Sequence, residues 1–228
     1  MEELELSRRE FMADISHNLG TPLSASQAWL CRLVEDDNLT LPERRGILGK
    51  VLRQLKFVAQ TSKRLLELSR WEHSEPELYW EVFPIAEPLF GAVESVEEEA
   101  LEQSIEMEFD QVGHYLVRGD RTRLREVFQI FFENAIKYAG AGASVIVSTV
   151  PFEGLLRVKV ADNGEGMSPQ RLARLGERFR SSPNGGSGLG LAIADQLLRA
   201  HHATLDIRSI EGKGTTITFS LPLEKGED

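Results

Sequence analysis

The stretch Phe11-Met12-Ala13-Asp14-Ile15-Ser16-His17-Asn18-Leu19-Gly20-Thr21-Pro22-Leu23 lies inside a run whose apolar residues fall at Leu4, Phe11, Ile15, Leu19, Leu23, Leu30 and Leu33. Spacings built from threes and fours predict one amphipathic helix from about Glu3 to Glu35. His17 and Thr21, four apart, share a face of it. Pro22 has no N–H for the carbonyl of Asn18 and crowds that turn, so a kink is expected just past the histidine.

Working outward, Asp36-Asp37-Asn38 ends this helix and Thr40-Leu41-Pro42-Glu43 reads as the next start. Thr40 is the expected N-cap, Pro42 sits in the first turn and Glu43 closes a capping box. The second helix should run to about His73, with Ile47, Val51, Leu55, Val58, Ser62 and Leu65 close to a coiled-coil seam and Leu48, Leu52 and Leu66 beside it. Two such helices cannot bury their apolar surface as an isolated hairpin. Pairing with a second copy into a four-helix bundle would bury it. Gly46 and Gly49 weaken the helix by roughly 1 kcal/mol each relative to Ala, and the sequence offers no reason for them.

Ser74-Glu75-Pro76 breaks the helical pattern and sets the expected boundary between domains 1–75 and 76–228. Beyond it, strands are expected at 78–83, 105–109, 115–117, 144–150, 155–161, 204–209 and 215–221. Helices are expected at 84–103, 121–139 and 188–201. The pair around Glu153-Gly154 reads as a hairpin, the last two strands flank Glu211-Gly212-Lys213-Gly214, and the mixture reads as a two-layer α/β sandwich.

Composition agrees with an ordinary folded chain: 228 residues, 41% hydrophobic and 27% charged. A net charge of −10 argues against nonspecific binding to nucleic acid or to acidic membranes. Glu94, Glu97, Glu98, Glu99 and Glu102 read as a solvated helix face. Cys31 is the single cysteine, which excludes an internal disulfide and is expected to be a small buried residue in a reduced cytosol. No apolar run approaches the ~20 residues that cross a bilayer, and no signal peptide precedes the first helix. The fragment is therefore expected to be cytoplasmic, and any membrane anchor of the natural protein to lie outside this chain.

Chemistry-bearing residues follow in order. Asn134, in Phe131-Phe132-Glu133-Asn134-Ala135-Ile136-Lys137-Tyr138, can offer an amide oxygen to Mg²⁺, and Lys137 can reach phosphate from the next turn. Asp162 in Asp162-Asn163-Gly164-Glu165-Gly166 stands at a strand end, where a carboxylate can accept from an exocyclic amine and the glycines admit a flat base. Gly186-Ser187-Gly188-Leu189-Gly190-Leu191 opens a helix, where backbone N–H groups can approach phosphate. It is not a Walker loop, and no strand leads into it as a dinucleotide fingerprint requires. The turn-prone Ser181-Ser182-Pro183-Asn184-Gly185 before it suits a lid. A helix-borne histidine followed by a nucleotide site points to an enzyme that phosphorylates itself on imidazole.

Together these residues resemble the sensor histidine kinases of bacterial two-component systems, over nearly the whole chain. Ser16 to Leu23 match that family's histidine box with two changes, and Asn134, Ala135 and Lys137 its asparagine box. Asp162, Gly164 and Gly166 match the first glycine box, Glu177 to Arg180 the phenylalanine box, and Gly186 to Leu191 the second glycine box. The resemblance implies a dimerisation and phosphotransfer hairpin followed by a Bergerat-type ATP-binding domain. It implies His17 as phosphoacceptor, Thr21 as a residue that places water for hydrolysis of a phosphorylated response regulator, and Asn134 as the Mg²⁺ ligand. Lys137, Tyr138, Asp162, Gly164, Gly166, Arg180, Gly186, Gly188, Leu189 and Gly190 would hold ATP. The partners implied are a second copy of the chain and a response regulator receiver domain.

Three positions depart from the family pattern. Asn18 stands where the family carries a carboxylate that serves as general base, Gly20 replaces an arginine, and Ile130 replaces the first asparagine-box residue. General-base assistance is typically worth ~10²–10⁴ in rate, so slow autophosphorylation with retained phosphatase action is one expectation. A degenerate relative acting mainly as regulator phosphatase or scaffold is the alternative. A gyrase-like ATPase of the same superfamily is disfavoured, because Ile130 stands where it would carry its carboxylate.

Overall fold

A computed structural model describes residues 2–71, 75–174 and 189–224. The chain divides into two compact units, one holding the N-terminal hairpin and the other beginning at Glu75. No helix among the described residues is long and apolar enough to cross a membrane.

The first unit is a hairpin of α1 (Glu2–Glu35) and α2 (Leu41–Trp71). Helix α1 runs unbroken through Pro22. At the turn, Asn38 N–H donates to the Asp36 carboxylate (3.2 Å), and Arg44 N–H makes the first helical bond to the Thr40 carbonyl (3.0 Å). The capping box is modified. Glu43 accepts from the Thr40 N–H (2.8 Å) as expected, and it also accepts the Thr40 hydroxyl (2.7 Å), which therefore does not cap in the usual sense. These bonds hold the Glu43 carboxyl below its ordinary range, the side-chain bond counting most.

Leu39, Ile47 and Val51 form a small core with Trp29 and Leu33. On α1 the inward positions are Ile15, Leu19, Pro22, Ser26, Trp29 and Leu33. On α2 they are Ile47, Val51, Gln54, Val58, Thr61, Leu65 and Leu68. Both sets follow a strict alternation of threes and fours. The seam expected through Leu55 and Ser62 therefore shifts back by one residue to Gln54 and Thr61. Leu55 joins Leu48, Leu52 and Leu66 in an exposed stripe, and Leu23, Leu30 and Val34 are exposed on α1. Cys31 is exposed as well, contrary to expectation, because it lies two residues from both Trp29 and Leu33, which face inward.

The second unit contains β1 (Glu81–Pro84), α3 (Ala86–Glu102), β2 (Glu106–Asp110), β3 (Leu116–Gly119) and α4 (Arg121–Ala139), then β4 (Ser144–Phe152) and β5 (Leu155–Asp162). It closes with α5 (Pro169–Arg174), α6 (Leu189–Ala200), β6 (Asp206–Ile210) and β7 (Gly214–Pro222). Strands β1 and β3 pair as a small antiparallel ribbon. The main sheet has the order β2-β4-β5-β7-β6, parallel only between β2 and β4. The hairpin at Glu153-Gly154 has positive φ at both residues (50° and 78°), the backbone of a tight hairpin turn.

Alternation along the strands produces two layers. Val145, Val147, Leu156, Val158, Val160, Phe219 and Leu221 face inward, while Ile146 and Val150 stay exposed. Phe128 and Phe131 of α4 pack on Phe219 (ring centroids 5.8 and 6.0 Å), and Ile193, Ala194, Leu197 and Leu198 bury one face of α6. The glutamate-rich side of α3 is solvated, as expected. Short α5 follows Ser168-Pro169 and has no counterpart among the helices expected from the sequence.

Asp120 ties this unit together. Its side chain is buried: one carboxylate oxygen caps α4 at the Arg123 N–H (3.0 Å) and the other accepts the Tyr79 N–H (3.0 Å). The Asp120 N–H donates to His201 Nε2 (3.0 Å), and His201 Nδ1 lies 2.7 Å from the Leu197 carbonyl. His201 is therefore the neutral Nδ1–H tautomer, donating at one nitrogen and accepting at the other. Burial depresses its basicity. The Trp80 ring lies 5.6 Å away.

Candidate functional site

His17 and Thr21 are both exposed on α1, one turn apart, and the Thr21 hydroxyl donates to the His17 carbonyl (3.0 Å). Ile15 and Pro22 turn inward, so the helix holds the imidazole toward solvent. Asn18 is half-buried, and its amide nitrogen is buried without a hydrogen-bond partner among the described residues. An amide has no proton affinity at neutral pH, so whatever assists His17 on this side is not Asn18.

In the second unit, Asp162, Gly164 and Gly166 lie where β5 ends. Asp162 Oδ1 accepts from the Gly164 N–H (3.0 Å) and the Thr215 N–H (3.2 Å), while Oδ2 makes no hydrogen bond among the described residues. Burial pushes the Asp162 carboxyl above its ordinary range, and these bonds partly offset the shift. Asn163 stitches the loop to β4, accepting the Ser144 N–H at 2.8 Å.

The glycines here are steric necessities. A Cβ on Gly164 would collide with the Ala139 backbone, so the loop rests on the end of α4. One on Gly166 (φ +61°) would strike the Ile210 carbonyl, and one on Gly214 (φ +94°) the carbonyl of Asp162. In the sequence Gly214 reads only as part of the turn between the last two strands, with nothing to mark its place beside Asp162.

The end of α4 meets this loop at Ala139. Asn134 is partly buried, and its amide nitrogen is buried with no hydrogen-bond partner among the described residues. Rotating the amide by half a turn places its oxygen at that same position, so the residue fits a cation ligand. It can supply only one of the oxygens Mg²⁺ requires. No group of three or more acidic, histidine or cysteine residues suited to a metal exists among the described residues. Any Mg²⁺ bound here would thus take most of its ligands from phosphate and water. Lys137 is exposed with its ammonium 5.2 Å from the Tyr138 ring centroid, and the Arg171 guanidinium also lies 5.2 Å from that centroid. Ile130, expected near the phosphates, is instead a core residue at 1% exposure. Hydrophobic burial accounts for it fully.

Leu189 is buried and Gly190 partly so at the start of α6. Glu177, Arg178, Phe179, Arg180, the Ser181–Gly185 lid expectation, Gly186 and Gly188 lie outside the described residues. Sequence reasoning missed Arg171, Glu165 and Asp120. Asp120 was findable as an N-cap before Arg121, and α5 from its Ser-Pro start. A cleft of about 390 Å³ lined by Trp80, Arg118, His202, Pro222 and Glu224 shares no residue with this group.

Comparison with known proteins agrees with this arrangement. Residues 7–74 match the His Kinase A (phospho-acceptor) domain, and residues 119–225 match the histidine kinase-, DNA gyrase B- and HSP90-like ATPase. The signal transduction histidine-protein kinase BaeS of Escherichia coli is 30% identical over 99% of this chain and 49% of its own length. The chain thus spans about half the length of that relative. The solved mycobacterial sensor histidine kinase MprB is 30% identical with a TM-score of 0.55, over 64% of this chain and 98% of that one. Histidine kinase ThkA in complex with response regulator protein TrrA shares the fold (TM-score 0.69, 19% identity, 97% of this chain and 65% of that chain). With a phosphoacceptor hairpin and an ATPase-type α/β domain matched in the same order, the chain belongs to the two-component sensor histidine kinases as a catalytic core.

Proposed function

We propose that this chain binds ATP, phosphorylates itself on His17 and passes the phosphoryl group to an aspartate of a response regulator. The observations that carry the reading are, in the first unit, an imidazole held out from α1 and, in the second, a partly buried Asp162 carboxylate enclosed by Gly164, Gly166 and Gly214. Domain 1–75 is the dimerisation and phosphotransfer domain and 76–228 the ATP-binding domain, working on the cytoplasmic side.

Asp162 Oδ2 takes the exocyclic amine of adenine, and Gly164, Gly166 and Gly214 let the surrounding backbone close tightly around that carboxylate. Lys137 balances phosphate charge, and Tyr138 borders the same region. Arg180, Gly186, Gly188, Leu189 and Gly190 are assigned to the nucleotide by family likeness. Asn134 would hold Mg²⁺, which supplies charge neutralisation at the phosphates. A neutral His17 nitrogen attacks the terminal phosphorus in line, an N–P bond forms as the bond to the ADP oxygen breaks, and the imidazole's remaining N–H proton passes to solvent water. Placement and charge neutralisation account for most of the rate in such transfers.

Leu23, Leu30 and Val34 on α1, with Leu48, Leu52, Leu55 and Leu66 on α2, form an exposed apolar surface that a second copy would cover in a four-helix bundle. The regulator assignment is supported by the ThkA–TrrA complex, and Thr21 stands where it could place water against a regulator's phosphoaspartate.

Incubation with Mg-ATP labelled on the terminal phosphate tests the reading. The expected result is acid-labile, base-stable label that disappears in His17→Gln. Nucleotide binding with no phosphoenzyme at any time point would refute the kinase assignment.

A further inference from the structure

We infer that Arg171 is a positioning residue for the nucleotide, acting through Tyr138; the inference rests on the ATP-binding reading above. Tyr138 lies in the last turn of α4, next to Ala139, against which Gly164 is packed. The Arg171 guanidinium lies over the Tyr138 ring at 5.2 Å from its centroid and 3.5 Å from the Glu165 carboxylate. Glu165 sits between the two glycines of the Asp162 loop, and its own carbonyl accepts the Gly212 N–H (2.7 Å). One side chain thus spans from the adenine-reading loop to the aromatic ring at the end of α4. Its backbone is fixed as well, since Arg171 N–H bonds to the Ser168 carbonyl (3.0 Å) where α5 begins.

This geometry restrains the ring. A phenol attached at the end of a helix rotates about two bonds, and a cation above its face favours one orientation over the rest. The guanidinium is planar and suits stacking as an ammonium does not, and Glu165 keeps it from swinging away. Lys137 lies over the same ring but projects from the helix itself, so it cannot tie the ring to the loop. Arg171 therefore sets the angle at which Tyr138 meets the bound nucleotide, and the loop and the ring move as one wall.

The test is binding of ATP and of ADP, each with Mg²⁺, to the complete 228-residue chain. Arg171→Ala should weaken both nucleotides about two- to fivefold, the effect of one partly exposed cation–ring contact. Arg171→Gln keeps the side-chain bulk without charge and should do the same, which covers the case in which the alanine variant folds poorly. Combined with Tyr138→Ala, either change should add nothing to the loss from Tyr138→Ala alone. Wild-type affinity in the Arg171 variants, or losses that multiply in the double variant, would overturn the inference. So would a loss confined to ATP, which marks a direct contact with the terminal phosphate. Asp162→Ala is the separate control: if it binds ATP as tightly as wild type, the nucleotide reading itself fails, whatever Arg171 does.

Discussion

Replacing Asp120 with Ala removes two hydrogen bonds from a residue only 5% exposed. The first caps α4 at the Arg123 N–H, and loss of an Asp cap costs about 1 kcal/mol. The second holds the Tyr79 N–H, and a donor deprived of a charged partner costs about 1–3 kcal/mol. Tyr79 is itself largely exposed, so water reaches its backbone and the lower end applies. The sum is about 2 kcal/mol, which lowers the melting midpoint of a domain of this size by about 4–8 °C. Asp120→Asn retains a cap acceptor and should lose about half as much. Thermal denaturation followed by circular dichroism reads both. Midpoints within about 1 °C of wild type for both variants would refute the reasoning, because a buried carboxylate with two donors cannot be removed silently.

Gly214→Ala should destabilise the second unit and abolish ATP binding, since a side chain at φ +94° would meet the Asp162 carbonyl; Gly154→Ala, at φ +78° in open space, should cost only about 1 kcal/mol and leave binding intact. Equal effects in melting and ATP titration would contradict the steric argument. Asn18→Glu should raise His17 phosphorylation by about a hundredfold, the low end of what a general base provides (~10²–10⁴); unchanged initial rates of label incorporation would count against it. Burial lowers the His201 pKa relative to the unfolded chain, so the unfolded state takes up the proton first as pH falls. Stability is therefore full above about pH 6.5 and declines below it, and His201→Gln should flatten that part of the melting-against-pH curve. Gly46→Ala should raise the hairpin's stability by roughly 1 kcal/mol, because nothing lies within 4 Å of the added methyl; a lower midpoint would show that a second chain needs that space.

Elements governed by local rules are legible in the sequence. Strand alternation at Val145, Val147 and Leu156, Val158 fixes the inward face, and Glu153-Gly154 supplies the turn between them. The long α4 can be read from Arg121 to Ala139, its bounds in the structure. The α2 seam misleads because leucines mark it less well than position does: burial follows the 3.5-residue period through polar Gln54 and Thr61. At Cys31 residue type suggests burial, and helix face decides against it. The Asp120–His201 link joins residues 81 apart through an N–H, and no local pattern encodes such a bond. Arg171 is hidden for a related reason: its role depends on α5 returning to the end of α4, a tertiary event.

The state of Asp162 explains why so much backbone converges on one side chain. A carboxylate taken partly out of water resists ionisation, and the Gly164 and Thr215 N–H groups offset only some of that penalty. Both N–H groups reach Oδ1, which leaves Oδ2 as the acceptor available to a ligand. A ligand that brings an N–H to Oδ2 relieves the residual cost, while one that brings a carbonyl oxygen adds repulsion to it. Adenine presents an amine at its six position and guanine a carbonyl, so under the proposed reading the residual desolvation cost at Asp162 is itself the source of discrimination. The glycines let the chain fold tightly enough to desolvate Asp162, because a side chain at Gly164, Gly166 or Gly214 would strike neighbouring backbone.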